Sequence, residues 1–130
     1  MARKDVALLV FDGVQALDVA GPLDVFAEAN RFLPDGQGYD LALVASGRDP
    51  IGASNGMPLT AHLGFSEAAR RFDTVLVAGG PALPDADEDV ATSAWLRRWG
   101  AGAGLYGSIC TGAFILGHAG LLDGKVVTTH

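Results

Sequence analysis

A single cysteine stands in a segment of small residues that is typical of a nucleophile-bearing turn. The chain of 130 residues has one cysteine, Cys110, in the segment GSICTG at residues 107–112. Small residues on both sides of a nucleophile let the backbone double back between a strand and a helix. A cysteine there would lie at a helix N-terminus, which favours the thiolate. The spacing therefore predicts a reactive thiol, whereas the alternative is a buried cysteine that acts as a small hydrophobic residue.

Alternating strand and helix patterns would position this turn. Apolar runs, most of them apolar on both faces, predict five strands, at residues 6–11, 41–45, 74–78, 105–109 and 125–129. Helices are predicted to open at Gly21-Pro22 and to cover residues 90–99 and 111–117, and Asn55-Gly56 predicts a side hairpin within residues 51–60. This order predicts an α/β fold of the flavodoxin-like, doubly wound type with a mostly parallel sheet ordered 2-1-3-4-5.

Three chemistry-bearing segments follow strands of this predicted sheet. Residues 12–18, which end at Asp18, follow the first strand, Gly79-Gly80 follow the third, and Cys110 follows the fourth. Ligands of such folds bind beyond the carboxyl ends of the strands, beside the switch point between strands one and three. We therefore expect Asp18 and Cys110 to face each other across a small-molecule pocket. The alternative for Asp18 is a carboxylate that only caps a helix.

Composition narrows the class of protein further. Fifteen acidic and nine basic residues give a net charge of -6, so this segment has no electrostatic footprint for nucleic acid or an anionic membrane. We find neither a secretory leader nor a run of about 20 apolar residues, and a lone cysteine forms no internal disulfide, so we expect a cytoplasmic protein. Cys110 and the three histidines lack metal-ligand spacing, and no phosphate-loop string occurs, so we expect no metal and no cofactor.

Longer strings give a resemblance that covers nearly the whole chain. They are FDGVQALDVAGPLDVFAEAN at 11–30, ASNGMPLTA at 53–61, VLVAGG at 75–80, SICTGAFILGHAGLLDG at 108–124 and VTTH at 127–130. With them the chain resembles the DJ-1/PfpI superfamily, the cysteine-elbow relatives of class I glutamine amidotransferases. Within it, the chain most resembles the N-terminal sensor domain of AraC-type transcriptional regulators, and next the isonitrile hydratases.

The resemblance implies roles for five residues. Cys110 matches the elbow cysteine and Asp18 its acidic partner, which hydrogen-bonds the sulfur, and these two are the expected catalytic residues. Gly80 and Thr111 match backbone N–H donors of an oxyanion-type hole, and His130 matches a histidine near the ligand pocket. Thr111 also stands where the protease and glyoxalase-like branches place a histidine, so a Cys-His dyad at the elbow is absent.

The function implied by the resemblance is that of a sensor domain. Residues 1–130 would form one α/β domain, truncated at its C-terminal end, that binds a small-molecule ligand near Cys110 and Asp18. A helix-turn-helix region downstream would contact DNA, since the acidic segment itself cannot. The alternatives are an isonitrile hydratase-like lyase with Cys110 as nucleophile and a redox or stress-response protein that uses Cys110 as a sensor thiol. A homodimer is implied in each case.

Overall fold

A parallel sheet of five strands forms the centre of the molecule in the computed structural model, which describes residues 3–130. The strands, including those of a separate hairpin, are β1 (Lys4–Leu9), β2 (Tyr39–Ala45), β3 (Ile51–Gly52), β4 (Pro58–Leu59), β5 (Leu63–Gly64), β6 (Thr74–Val77) and β7 (Leu105–Ser108). The order in the main sheet is β5-β2-β1-β6-β7, and every pair in it is parallel. The predicted α/β class with a parallel sheet is confirmed, and so is the relative order of the first four predicted strands. The short edge strand β5 was not predicted.

Both faces of this sheet are covered, because the side chains of β1 alternate between two hydrophobic cores. Ala7 and Leu9 belong to a core that contains Trp95 and Leu116, while Leu8 and Val10 belong to a second core that contains Val19 and other residues of the opposite face. These four side chains, three in β1 and Val10 directly after it, are at most 1% exposed. The pattern of continuous apolar residues in β1 therefore reflects burial from two sides, as expected for a parallel strand.

The helices are α1 (Leu17–Asn30), α2 (Val90–Trp95) and α3 (Gly112–His118). A 3-10 turn at Leu83–Asp85 precedes α2, and a π-helical turn at Leu96–Gly100 replaces the last part of the helix predicted for residues 90–99. Asp89 caps α2 by accepting hydrogen bonds from the N–H groups of Ala91 and Thr92. No helix within residues 3–130 is long and apolar enough to cross a membrane.

The predicted start of the first helix at Gly21-Pro22 was wrong. Helix α1 begins at Leu17 and carries Pro22 in its interior. Its first turn closes before the proline, because the N–H of Ala20 donates to the carbonyl of Ala16 at 3.0 Å. Pro22 has no N–H to donate to the carbonyl four residues earlier, a local cost of proline in a helix. Burial of Val19 in the core holds this first turn in the helix despite that cost.

The region after α3 also differs from the prediction. Residues 125–130 form no strand, so the predicted fifth strand was wrong. The chain turns at Gly124, which has a φ of 72°, and residues 123–130 are exposed. This segment does not pair with a strand of the sheet. It contacts the elbow instead, because the hydroxyl of Thr129 donates to the carbonyl of Cys110 at 2.7 Å. The predicted hairpin, in contrast, is confirmed by the antiparallel pair β3 and β4 around Gly56.

Candidate active site

Cys110 lies on a strained turn between β7 and α3. Its φ of 49° is the one positive value found for a residue other than glycine within residues 3–130. Left-handed backbone is unfavourable for a residue with a Cβ and marks a position that the surrounding structure enforces. The side chain is exposed. The structure therefore shows the strained strand-to-helix turn predicted from the small-residue spacing, and it excludes the alternative of a buried cysteine.

The turn is held against the end of β6. The N–H of Ile109 donates to the carbonyl of Val77 at 2.8 Å, which continues the β6–β7 ladder up to the cysteine. Gly112 lies two residues after the cysteine. A Cβ at this position would collide with the carbonyl oxygen of Val77 and would lie 2.9 Å from the carbonyl oxygen of Ala78. Glycine at position 112 is therefore required by the close approach of two backbone segments, as at other nucleophile elbows.

Asp18 reaches the same place from the opposite direction. It lies half-buried in the first turn of α1, and its Oδ2 accepts a hydrogen bond from the N–H of Gly79 at 3.2 Å. The carbonyl of Gly79 accepts in turn from the N–H of Gln15 at 2.8 Å. The loop before α1 is thus fixed to the end of β6 at two points, so Asp18 does more than cap its own helix.

Gly79 is the point where these groups converge. A Cβ on this glycine would lie 2.7 Å from Asp18 Oδ2, 2.9 Å from the backbone nitrogen of Thr111 and 3.0 Å from Cys110 Cβ. A carboxylate oxygen, a backbone N–H and the base of the thiol side chain therefore surround one small volume next to Gly79. Within residues 3–130, no hydrogen bond joins the Cys110 thiol to the Asp18 carboxylate. The two side chains are close to each other beside Gly79 but are not bonded.

Thr111 and Gly80 form a second link across the site. The hydroxyl of Thr111 donates to the Gly80 carbonyl at 2.8 Å and accepts from the Gly80 N–H at 3.0 Å, and both residues are buried. The Gly80 N–H, which the resemblance implied as an oxyanion donor, is thus already bonded to a side chain. The backbone N–H of Thr111 has no partner among the described residues and remains the donor that faces the volume beside Gly79.

His130 contributes no hydrogen bond in the described part of the chain. It is exposed and directly follows Thr129, whose hydroxyl bonds to the Cys110 carbonyl. Two cavities, of about 430 and 480 Å³, lie elsewhere, and neither Cys110 nor Asp18 lines them. Residues 3–130 thus present the thiol at an open surface, whereas the sequence predicted it inside a pocket. The same residues contain no group of three or more metal-ligating side chains.

Comparison with known families agrees with this geometry. The family model described as the DJ-1/PfpI family matches residues 4–130, which is nearly the whole chain. The chain belongs to the DJ-1/PfpI family. The predicted family is therefore confirmed, and the φ of Cys110 and the contacts of Gly79 describe the elbow of a DJ-1/PfpI domain.

The proteins similar to this DJ-1/PfpI domain include an enzyme and a transcriptional regulator. A Streptomyces lividans protein encoded in the cpoL 5′ region is 44% identical over 125 residues, which cover 96% of this chain and 86% of that protein. Isonitrile hydratase of Pseudomonas putida is 38% identical over 96% of this chain and 51% of its own length. The HTH-type transcriptional regulator CdhR of Pseudomonas aeruginosa is 30% identical over 98% of this chain and 37% of its own length. This chain thus spans about half of the hydratase and just over a third of the regulator.

A solved structure shows the same fold. A ThiJ/PfpI family protein from Pseudomonas syringae superposes with a TM-score of 0.82 and is 30% identical, with 95% of this chain and 49% of that chain covered. A protein from Vibrio parahaemolyticus that is described as a putative transcriptional regulator superposes with a TM-score of 0.77 at 20% identity, with 98% of this chain and 67% of that chain covered, a likeness that concerns the fold alone.

Sequence reasoning missed two participants in the site of this DJ-1/PfpI domain. Gly79 was placed with Gly80 at the ligand-binding edge of the sheet but was given no role of its own, although its missing side chain allows Asp18, Thr111 and Cys110 to approach one another. Thr129 was given no role, although its hydroxyl donates to the carbonyl of the elbow cysteine. The Gly79-Gly80 doublet after a buried strand was a signal that could have identified Gly79. The position of Thr129 depends on the path of the chain after Gly124, so no local pattern predicts its contact.

Proposed function

We propose that this domain uses Cys110 as a nucleophile toward a small electrophilic carbon, and that hydration of an isonitrile is the reaction it supports best. The observation that carries this proposal is the convergence on Gly79. An exposed thiol on strained backbone, a carboxylate and a backbone N–H without a partner in residues 3–130 meet at Gly79, with no other side chain between them. Nucleophile, proton carrier and hydrogen-bond donor are the three parts that thiol addition needs.

The chemistry balances with these groups and one water. Cys110 Sγ bonds to the terminal carbon of the isonitrile, its proton passes to the Asp18 carboxylate, and Asp18 delivers that proton to the same carbon to give a thioimidate. Water then adds to this carbon while one of its protons moves to the nitrogen. Breaking the carbon–sulfur bond, with return of a proton to sulfur, releases the N-substituted formamide. The Thr111 N–H stabilises negative charge that develops during addition.

The residue after the nucleophile argues against a hydrolase with a Cys-His dyad. That residue is Thr111, and its hydroxyl is engaged in both directions by Gly80. No histidine in residues 3–130 has a hydrogen bond to Cys110 or Asp18. A reaction in which a carboxylate moves the protons is therefore favoured, in keeping with the 38% identity to an isonitrile hydratase over the shared half of that protein.

The test is turnover of n-butyl isonitrile to N-butylformamide in water enriched in ¹⁸O, followed by mass spectrometry. We expect the formamide oxygen to carry the label, Cys110→Ala to abolish turnover and Asp18→Asn to slow it by about 100-fold or more. Asparagine retains an oxygen that accepts from the Gly79 N–H, so the fold is preserved. Asp24→Asn, an exposed carboxylate elsewhere on α1, is the matched control and should have no effect. Turnover that survives in Cys110→Ala would refute the proposal.

A second candidate is the sensor domain of a transcriptional regulator. The specific support is the regulator of Pseudomonas aeruginosa, which is 30% identical over 98% of this chain. In this role Cys110 and Asp18 would bind a metabolite without turnover, and DNA would be bound by another segment, because a net charge of -6 does not favour phosphate contacts. Binding of the full gene product to its own promoter, with a ligand response that Cys110→Ala changes and with no isonitrile turnover, would favour the sensor over the enzyme.

A further inference from the structure

A second concave site, separate from the elbow, lies at the carboxyl ends of β1 and β2. Its volume is about 430 Å³, within the range of small-molecule sites. Its floor is apolar and includes Leu9, Ala45 and Ile115, of which the first two are buried. It opens between the ends of these strands and the segment that leads into α2. Ligands of doubly wound sheets bind beyond the carboxyl ends of the strands, so the location is a natural one for a ligand.

The rim of this cavity is mainly acidic. Four carboxylates line it, those of Asp12, Asp49, Asp87 and Asp89, whereas no lysine or arginine lines it and His118 is its one basic side chain. Asp12 accepts a hydrogen bond from the Gly52 N–H, and Asp89 caps α2. Asp49 and Asp87 have neither a hydrogen bond nor an ion pair within residues 3–130. Acidic side chains alone would be no more than a solvated rim, but here they surround a cavity with an apolar floor.

Apart from the imidazole of His118, the remaining polar side chains of the cavity give no counter-charge to these carboxylates. Ser93 is 1% exposed, and its hydroxyl donates to Glu88 at 2.7 Å. Glu88 also forms an ion pair with Arg97. Neither residue lines the cavity, so the charge of Arg97 is paired with a carboxylate outside it. The four aspartates thus outnumber the single imidazole in the lining. Low-dielectric walls lined mainly by one sign of charge concentrate the opposite charge.

We propose that this cavity binds a small organic cation, an alkyl ammonium compound whose amine lies between Asp49 and Asp87 and whose alkyl chain lies on the apolar floor. Both parts are needed, because exposed carboxylates give a cation little affinity in water and burial of the alkyl chain supplies the rest. The site does not depend on the reaction at Cys110, which does not line it.

The test is binding of n-hexylamine, with hexan-1-ol and hexanoate as probes of the same length and different charge. We expect n-hexylamine to bind the protein with a dissociation constant below about 1 mM at low salt, as is reasonable for so few atoms. Hexan-1-ol should bind at least about fivefold more weakly and hexanoate not at all, and binding of the amine should weaken as salt is raised. Amide resonances of Ser46, Gly47 and Thr92 should shift on titration, while those around Cys110 should not.

Variants separate the contributions of charge and shape. Asp49→Asn combined with Asp87→Asn should weaken n-hexylamine binding about tenfold, whereas Asp24→Asn should not change it. Gly47→Leu should block binding without loss of fold, because a Cβ at this glycine meets no atom within 4 Å and the side chain would enter the cavity. Cys110→Ala should leave the affinity for n-hexylamine unchanged.

Two results would overturn the proposal: equal affinity for the amine and the alcohol, or undiminished amine binding in the double aspartate variant. Loss of amine binding in Cys110→Ala would also overturn it, because the amine would then bind at the elbow.

Discussion

The hydroxyl of Thr111 and the backbone of Gly80 hydrogen-bond to each other in both directions, at 2.8 and 3.0 Å. One side chain thereby satisfies a buried N–H and a buried carbonyl at the end of β6, and it fixes that end to the residue after the nucleophile. The position after the cysteine in this domain is therefore used to hold two backbone segments together. The same pair of hydrogen bonds helps to hold the elbow in place.

Removing this hydroxyl should destabilise the domain. Thr111→Val keeps the shape of the side chain but leaves the buried N–H of Gly80 without a partner, at a cost of about 1–3 kcal/mol, while the Gly80 carbonyl keeps the hydrogen bond from the Leu83 N–H. We expect the free energy of unfolding in urea to fall by about 1–3 kcal/mol. Thr111→Ser retains the hydroxyl and should lose clearly less. A valine variant as stable as the parent would mean that water replaces both hydrogen bonds.

Two glycines of the same helix should respond in opposite ways to alanine. Gly112→Ala places a Cβ against the carbonyl oxygens of Val77 and Ala78, so we expect a loss of about 2–3 kcal/mol in the free energy of unfolding. Gly117→Ala is the matched control, because a Cβ there meets nothing within 4 Å. It should be neutral or stabilise by up to about 1 kcal/mol through helix propensity. Similar effects at both positions would show that the elbow does not pack against β6 as described.

The sequence was most informative where local chemistry and tertiary structure demand the same residues. The segment from Val6 in β1 to Val10 directly after it is apolar at every position because both faces are buried, so its pattern predicted a central parallel strand. The small residues around Cys110 predicted the elbow because a tight turn excludes bulk at those positions. Asn55-Gly56 predicted the hairpin for the similar reason that its turn needs a positive φ, which Gly56 has.

The failures concern features that depend on distant partners. The start of α1 at Leu17 depends on burial of Val19 against the sheet, which outweighs the local signal of Pro22. The absence of a strand at residues 125–130 depends on the turn at Gly124 and on the bond from Thr129 to the elbow. The engagement of the Gly80 N–H by the Thr111 hydroxyl joins residues 31 positions apart, and no sequence pattern reports such a pair.

The left-handed backbone of Cys110 should appear in a series of substitutions at this position. With a φ of 49°, a β-branched residue should be least tolerated and glycine most tolerated. We expect Cys110→Val to be less stable than Cys110→Ala by about 1–2 kcal/mol, and Cys110→Gly to be at least as stable as Cys110→Ala. Urea unfolding of the three variants measures the order. The thiol is absent from all of them, so loss of its chemistry does not confuse the comparison. Equal stability of the valine and alanine variants would show that the turn relaxes.

Asp73, at the opposite end of the sheet from Cys110, should make stability depend on pH in the acid range. The pKa of this carboxylate lies below its ordinary value of 3.8, chiefly because it accepts the Asp5 N–H at 2.8 Å and also because it bonds to Arg71. A depressed folded-state pKa gives stability that is fully present above the unfolded value and is lost as pH falls through the folded value. The difference in free energy of unfolding between the parent and Asp73→Asn should therefore be constant above about pH 5 and shrink as pH falls toward about 2. A difference for Asp73→Asn that is flat with pH would show that the bonds from Asp5 and Arg71 do not favour the charged form in the folded state.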